Sequence, residues 1–304
     1  MEEFELIAET DTRLDKYLGE RIPQISRSYW QKILVEYPAK VNGIMVNGKY
    51  RLQPGDLIHC AIPMAVEPQI SPQPIKLDIR YEDEDLLVIN KPKGMVVHPS
   101  AGHYEDTMVN GLLYHCKDLS GINGVLRPGI VHRIDKDTTG LLVVCKHDRS
   151  HRHIAEQLKV HSITRQYRAI CWGNFTQTGG TVDAPIGRHP QDRKKMTVIS
   201  GGKPAVTHFE VMEQWKRCSM IVCRLETGRT HQIRVHMTHI HHPLVGDEVY
   251  TDHRKKTPIE AHLQGQCLHA ETLGFIHPSS GEYMEFSAPL PDYFTELVSK
   301  FRQE

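Results

Sequence analysis

One loop concentrates the charged residues that could perform chemistry. It spans residues 132–140 and has the sequence His-Arg-Ile-Asp-Lys-Asp-Thr-Thr-Gly. The apolar pair at 130–131 precedes it and the apolar run at 141–145 follows it, so the pattern predicts a buried strand on each side. Asp135 then lies on a charged loop between two core strands, which is where rigid scaffolds commonly carry catalytic groups.

Other interpretations of this loop are weaker. Asp135, Asp137, Thr139 and Gly140 fit positions 1, 3, 5 and 6 of a calcium-binding loop, but position 12 would be Lys146 instead of a bidentate glutamate. The loop is also similar to the Asp-Lys-Thr-Gly-Thr run of aspartyl-phosphate enzymes, but an additional aspartate breaks the register. A solvated turn in which Asp135 only pairs with a neighbouring arginine stays open, because structural ion pairs imitate functional sites.

A second group of candidate residues lies in the run 225–237, Leu-Glu-Thr-Gly-Arg-Thr-His-Gln-Ile-Arg-Val-His-Met. Thr230 is expected to cap a helix on which Arg234 lies one turn later, close enough to the amino end to point back at a neighbouring loop. His231 and His236 are five residues apart, which is wrong for two metal ligands on one helix face, and no His-Glu-x-x-His run is present. We therefore predict no metal site.

The elements that must position these residues follow from hydrophobic periodicity. Buried strands are predicted at 86–89 and 141–145, and a strand with period-two alternation at 164–173 carries Tyr167. Helices are predicted at 106–115, 149–159 and 292–302. A tyrosine on a strand is usually a core residue, so its position alone assigns no function to Tyr167.

The run 132–142, His-Arg-Ile-Asp-Lys-Asp-Thr-Thr-Gly-Leu-Leu, closely resembles the signature of the RluA family of pseudouridine synthases. The resemblance extends to the Lys-Pro-Lys-Gly turn at 91–94, the Arg-x-Tyr-x-Ala pattern at 165–169 and the run 225–237. It implies an α+β fold, in which a mixed, mostly antiparallel β-sheet forms a catalytic domain with flanking helices. No Gly-x-Gly-x-x-Gly, Walker-type or Gly-x-Ser-x-Gly pattern is present, so nucleotide, dinucleotide and serine-hydrolase chemistry lack their usual motifs.

By this resemblance, Asp135 is the carboxylate that acts at carbon 1′ of the target uridine, either as a nucleophile or by stabilising a cation and moving the carbon 2′ proton. Arg234 is expected to hold Asp135 in an ion pair, and Tyr167 to offer a flat face for the uracil and a hydroxyl for the late proton transfer. Arg133 is expected to fill the space that a flipped uridine vacates. Further candidate RNA contacts are His132, Lys91, Arg27, Lys32, Arg188 and Arg229.

The chain is predicted to contain two domains. Residues 1–60 suggest two helices followed by a small sheet, which resembles the S-four (αL-type) RNA-binding module, and α-helix capping is expected at Asp11 or Thr12. Residues 61–77 contain four prolines and are predicted to form an extended connector. Residues 78–304 are predicted to form the catalytic domain.

The composition limits the kinds of partner and the cellular location that can be expected for the protein. Formal net charge is zero and the pI is about 7.3, so any RNA binding must come from local basic patches. No apolar run approaches the roughly 20 residues of a membrane helix, and the acidic start predicts no secretory signal. The seven cysteines are scattered and lack a Cys-x-x-Cys pair, which indicates reduced thiols and a cytoplasmic location.

The preferred function is therefore a cofactor-free RNA pseudouridine synthase that acts, as a monomer, on large-subunit ribosomal RNA. The amino-terminal module favours ribosomal RNA over tRNA, and a tRNA-directed synthase is the alternative within the family. A non-catalytic RNA-binding or ribosome-assembly factor on the same fold is the alternative from another class. A histidine-rich metallohydrolase is a third hypothesis, which the lack of a metal-binding pattern disfavours.

Overall fold

The computed structural model describes residues 2–23, 25, 27–62, 70–100, 102–117, 119–122, 124, 127–251 and 263–304. The chain forms two compact units, Met1–Glu67 and Pro68–Glu304, and each has its own hydrophobic core. None of the helices in these ranges is long and apolar enough to cross a membrane.

The smaller unit packs two helices on a four-stranded antiparallel sheet. Its elements, in chain order, are Glu2–Ile7 (β1), Leu14–Arg21 (α1), Arg27–Glu36 (α2), Ala39–Val41 (β2), Ile44–Val46 (β3) and Leu57–Ile62 (β4). The two predicted helices and the short strands are confirmed, and β1, which pairs with β4, was not anticipated. The expected capping of α1 by Asp11 or Thr12 is wrong, because Arg13 occupies the N-cap and no side chain caps the helix.

The predicted connector at 61–77 lies partly outside the described residues. Residues 61 and 62 belong to β4, and residues 63–69 lie outside the described residues. Beyond them the chain packs onto the larger unit, where Ile70 is buried in the main core and Asn110 Nδ2 donates a hydrogen bond to the Ser71 carbonyl oxygen (2.9 Å). The boundary between the units therefore falls near residue 67, earlier than the predicted start of the second domain.

The larger unit has one large sheet with flanking helices. Its strands are Ile79–Glu82 (β5), Leu86–Lys91 (β6), Thr139–Cys145 (β7), Thr164–Trp172 (β8), Gly179–Asp183 (β9), Ile186–Arg188 (β10), Met196–Val198 (β11), Val206–Gln214 (β12), Cys218–Leu225 (β13), Leu268–Ile276 (β14) and Tyr283–Ser287 (β15). Its helices are Met108–His115 (α3), Asp148–Lys159 (α4), Gln232–His239 (α5) and Asp292–Arg302 (α6).

The sheet order is β5-β6-β7-β14-β8-β13-β12-β9, with β15 paired to β14 and a separate hairpin of β10 and β11. Neighbouring strands among the described residues are antiparallel except β7 and β14, which are parallel. The predicted mixed, mostly antiparallel α+β architecture is therefore confirmed. A short parallel pairing at the centre brings the start of β7 next to β14, and β14 pairs antiparallel with β8 on its other side.

The charged loop at 132–138 enters the sheet at β7. Gly140 has φ +108°, and a Cβ atom there would overlap the backbone of Ala270 on β14, so only glycine permits this close approach of the two strands. The strand predicted at 130–131 is reduced to a single bridge between Ile130 and Val144, because the chain turns at Gly129, which has φ +70°. The regular strand therefore begins only on the carboxyl side of the loop, at β7.

Candidate active site

The structure brings Asp135 and Arg234 together, although 99 residues separate them in the chain. Arg234 Nη1 donates a hydrogen bond of 2.8 Å to Asp135 Oδ2. The arginine side chain is 6% exposed and the aspartate side chain 16%, so the pair is largely withdrawn from water but one face of the carboxylate remains accessible. That face opens on a cleft of about 530 Å³, which is large enough for a nucleoside.

A second carboxylate, Asp247, fixes the other side of the Arg234 guanidinium. Arg234 Nε and Nη2 donate to its two oxygens at 2.7 and 2.9 Å, and Asp247 also accepts the backbone N–H groups of Val249 (3.0 Å) and Tyr250 (3.2 Å). The Asp247 side chain is fully buried. Bidentate pairing fixes the plane of a guanidinium, so Asp247 directs the remaining Nη1 toward Asp135. Asp247 was not identified from the sequence, because its spacing from Arg234 gave no indication of this role.

Tyr167 lies on β8 and lines the same cleft as Asp135 and Arg234. It is 7% exposed, and burial raises the pKa of its phenol, while the Asp135 carboxylate raises it further and the Arg165 cation opposes the shift. The phenol is therefore protonated at neutral pH. The three residues predicted to be catalytic thus surround one cleft.

His231 is a further neighbour of Asp135. Its Nε2 lies 3.9 Å from Asp135 Oδ1, and its Nδ1 is hydrogen-bonded to the Tyr250 hydroxyl (2.9 Å), which also accepts the Met196 N–H (2.9 Å). His231 is the N-cap of α5 with φ 57°, so the expected capping by Thr230 is wrong. Burial lowers the pKa of His231, while the Asp135 carboxylate opposes that shift.

The prediction that Lys91 contacts RNA is wrong, because its side chain is fully buried. Its Nζ donates to three carbonyl oxygens, those of Pro92 (2.8 Å), Met95 (2.9 Å) and Lys136 (2.7 Å). The last of these belongs to the residue that follows Asp135 in the chain. Lys91 therefore ties the turn after β6 to the loop that carries Asp135 and positions that loop.

His132 also has a structural role. Its Nε2 accepts the Val143 N–H (3.1 Å), so the ring is fixed against β7. Burial, and after it the charge of Arg165, lowers the pKa of His132 to about 3. The imidazole is consequently neutral at physiological pH, and the predicted RNA contact of His132 cannot be an ionic one.

The titration of His132 gives a test of this assignment. An unfolded histidine titrates near pH 6.5, so the unfolded chain binds more protons than the folded one between about pH 6.5 and 3. The free energy of unfolding should therefore decrease as the pH falls through this window, by roughly 1–2 kcal/mol at pH 5 relative to pH 7 from this residue. Urea unfolding of His132→Gln, whose amide oxygen can still accept the Val143 N–H, should show a flatter pH dependence. Equal slopes for both proteins would contradict the assignment.

The remaining predicted RNA contacts lie in different places. Arg133 is exposed and lines the cleft, and Arg229 also lines it, although its Nε donates to the Pro204 carbonyl oxygen (2.9 Å). Arg188 is exposed at the end of β10. Arg27 and Lys32 are exposed on α2 of the smaller unit, where Arg27 also pairs with the buried Asp15 (3.4 Å).

The histidines considered as metal ligands have other contacts. His236 is buried and hydrogen-bonded to the Thr207 hydroxyl (2.9 Å) and the Ala184 carbonyl oxygen (3.0 Å). In the described part of the chain, the one group with metal-ligand spacing is Glu82, His115 and Cys116. Glu82 already pairs with Lys146 (2.8 Å), and a cation in that position would repel a metal ion.

Comparison with known proteins agrees with this geometry. A family model described as RNA pseudouridylate synthase matches residues 85–239, which include all three predicted catalytic residues. An RNA pseudouridine synthase of Bacillus subtilis is 50% identical over 291 residues, which cover 96% of this chain and 94% of the relative. A protein of Zymomonas mobilis named ribosomal large subunit pseudouridine synthase D is 48% identical over 289 residues, covering 92% of this chain and 90% of the relative.

The fold is also similar to that of a solved structure. The solved structure of human RNA pseudouridylate synthase domain containing 1 superposes with a TM-score of 0.57 at 25% identity, and the match covers 75% of this chain and 96% of that one. The sequence similarity extends over almost the whole of each bacterial relative. The chain therefore belongs to the RNA pseudouridylate synthase family, whose members are isomerases that convert uridine in RNA to pseudouridine.

Proposed function

We propose that this chain isomerises uridines of large-subunit ribosomal RNA, with Asp135 as the group that acts at carbon 1′. The observation that carries the proposal is the hydrogen-bonded pair of Asp135 and Arg234 on the wall of a cleft that Tyr167 also lines. A single carboxylate held by a buried guanidinium, with one face open to a cleft of nucleoside size, suits chemistry at a sugar carbon.

The reaction breaks the bond between N1 of uracil and carbon 1′, rotates the base and forms a bond between C5 and carbon 1′. The proton lost from C5 balances the proton gained at N1, so the nucleotide requires no external oxidant, reductant or group donor. Asp135 either attacks carbon 1′ or stabilises a cation there and removes the carbon 2′ proton. Both routes need the same carboxylate in the same place, and Arg234 orients it in both.

Tyr167 supplies a flat apolar face beside this carboxylate. A base that stacks on an aromatic ring gains roughly 1–3 kcal/mol, which helps to offset the few kcal/mol needed to flip a uridine out of folded RNA. Because its phenol stays protonated, the hydroxyl can hydrogen-bond the uracil and take part in the proton transfer at C5. Arg133 is exposed and lines the cleft, and we propose that it occupies the gap that the flipped uridine leaves.

Large-subunit ribosomal RNA is the substrate that the relatives support. Those from Zymomonas mobilis, Pseudomonas aeruginosa and an Escherichia coli strain, which are 48%, 42% and 44% identical to this chain, all carry the name ribosomal large subunit pseudouridine synthase D. All seven cysteines are buried thiols outside any disulfide, which suits a reducing cytoplasm, and we propose that the enzyme acts there as a monomer.

The proposed path of the RNA strand leaves the catalytic cleft beside Arg229. A neighbouring groove of about 370 Å³ shares Gly228, Arg229 and Thr230 with that cleft and is also lined by Arg188 and Lys203. No acidic residue is among its lining residues in the described part of the chain. Such a basic groove attracts a phosphate backbone without reading its sequence.

The smaller unit is proposed to add affinity for RNA, by analogy with the S-four module that it resembles. Deletion of residues 1–67 should weaken binding to a natural ribosomal RNA fragment by roughly tenfold or more, while the single-turnover rate at saturating protein changes less than threefold. The remaining unit has its own core, and circular dichroism would verify that it stays folded. Equal affinity of the truncated and full-length proteins would contradict this role.

The function itself is tested by mapping pseudouridines in cells with and without this protein, and by tritium release from RNA labelled at uracil C5. If the protein is an isomerase, it releases tritium from ribosomal RNA. Cells that lack it should also lack pseudouridine at specific positions. A non-catalytic assembly factor would bind the same RNA without tritium release, which would refute the proposal. Tritium release from tRNA but not from ribosomal RNA would contradict the proposed substrate and support the proposed reaction.

A further inference from the structure

Arg165 is a buried cation that the proposed reaction does not use. It lies on β8, two residues before Tyr167, so both side chains point to the same face of the strand and line the catalytic cleft. The residue is 8% exposed. Its Nη2 donates to the Glu226 carbonyl oxygen (2.7 Å), but its Nε is buried without any hydrogen-bond partner among the described residues.

The charge of Arg165 is also uncompensated within the described ranges, where no carboxylate lies within ion-pair distance of it. Arg168, three residues later on the same strand, shows the usual arrangement, because it pairs with Glu271 at 2.9 Å. Burial lowers the pKa of Arg165, and the neighbouring Arg229 cation lowers it further, while Tyr167 opposes the shift. An arginine nevertheless keeps its proton in proteins, so the folded chain carries a costly unpaired charge at this point.

The absence of a side chain at Gly228 leaves room for the Arg165 guanidinium. Gly228 faces it, and a Cβ atom at that position would lie 2.8 Å from Arg165 Nη1. The cleft is strongly cationic, since Arg133, Lys159 and Arg229 also line it, whereas Asp135 is its single acidic lining residue in the described chain and is already paired with Arg234. An unsatisfied buried donor in such a cleft indicates a ligand that is absent from the free protein.

We propose that Arg165 binds a phosphodiester group of the RNA strand next to the flipped uridine. An anion would neutralise the charge of Arg165 and accept hydrogen bonds from its unpaired N–H groups. A neutral uracil carbonyl oxygen would accept a hydrogen bond but would not neutralise the charge. The contact would fix the sugar-phosphate backbone on the β8 side of the cleft while Tyr167 holds the base. This inference rests on the proposed function for the identity of the anion, but not for the existence of the anion site.

The first test therefore uses inorganic phosphate alone. Thermal unfolding of the full-length protein is measured with increasing phosphate at constant ionic strength, using chloride as the balancing anion. The wild-type protein should gain stability with phosphate by mass action, and Arg165→Gln should gain distinctly less. Arg168→Gln is the matched control and should respond as the wild type does, since the charge of Arg168 is already paired.

The second test uses a natural ribosomal RNA fragment. Arg165→Gln should bind it roughly tenfold more weakly at 0.1 M salt, and the slope of log K against log salt should become shallower by about 0.7–0.9. Arg165→Lys, which keeps the charge, should retain the wild-type slope, and Arg168→Gln should retain it too. A weaker affinity with an unchanged slope would mean that Arg165 contacts a base, and this overturns the proposal.

An Arg165→Gln protein that responds to phosphate as the wild type does also overturns the anion site. The catalytic function and the anion site at Arg165 can be contradicted independently of each other. If the wild-type protein releases no tritium from RNA yet passes the phosphate test, the catalytic function fails and the anion site stands.

Discussion

Replacing Asp135 by asparagine should reduce single-turnover pseudouridine formation by a factor on the order of 10⁴ or more. The amide can neither attack carbon 1′ nor balance a cation there, so both possible routes lose their essential group. Binding of ribosomal RNA should stay within about threefold of wild type, because the substitution keeps the size of the side chain. The folded state should persist, since Arg234 keeps its two hydrogen bonds to Asp247. Tritium release and filter binding on the same RNA measure the two quantities.

Asp137→Asn is the matched control for this experiment. Asp137 lies on the same loop two residues later, and no ion pair or hydrogen bond of its carboxylate is present within the described part of the chain. Its substitution should leave the rate within about tenfold of wild type. If Asp135→Asn turned over RNA at the wild-type rate, or if both variants lost activity equally, Asp135 would not be the reacting group.

Substitution of Arg234 by methionine should have the largest combined effect on stability and activity. It leaves two carboxylates, Asp135 and Asp247, without their shared cation, and Asp247 is fully buried. Breaking a buried ion pair from one side typically costs 3–5 kcal/mol, and we expect a loss of about this size in urea unfolding. The single-turnover rate should fall on the order of 10²–10³-fold because Asp135 is no longer oriented.

A double substitution separates the two effects of Arg234. In Arg234→Met, the additional change Asp247→Asn neutralises the carboxylate that was left buried, so part of the lost stability should return. Activity should not return, because nothing then orients Asp135. A matched control is Arg168→Met, which breaks the pair between Arg168 on β8 and Glu271 on β14 and should lower stability without a comparable loss of rate. Recovery of activity in the double variant would show that Arg234 does not act through orientation of Asp135.

Several features of the fold and site could be predicted because they are recorded in local sequence. The apolar run at 141–145 and the alternation around Tyr167 specify buried strands, and α3, α4 and α6 follow from helical spacing of apolar residues. The pairing of Asp135 with Arg234 was predicted from the family motifs that carry them, not from their spacing. Local signals failed where they were short, as at 130–131, which a turn at Gly129 prevents from forming a strand.

By itself, the sequence determined the family, the principal helices and strands, and the three residues that surround the cleft. Only the tertiary structure decided that Lys91 is buried on three carbonyl groups, that Asp247 holds Arg234, and that Arg165 has no partner for its Nε and its charge. The physical reason is that burial and pairing depend on atoms brought together by the sheet, from segments such as Lys91 and Lys136 that are 45 residues apart. The type of a side chain determines which hydrogen bonds and ion pairs it can form. The packing of distant segments determines which of these it does form.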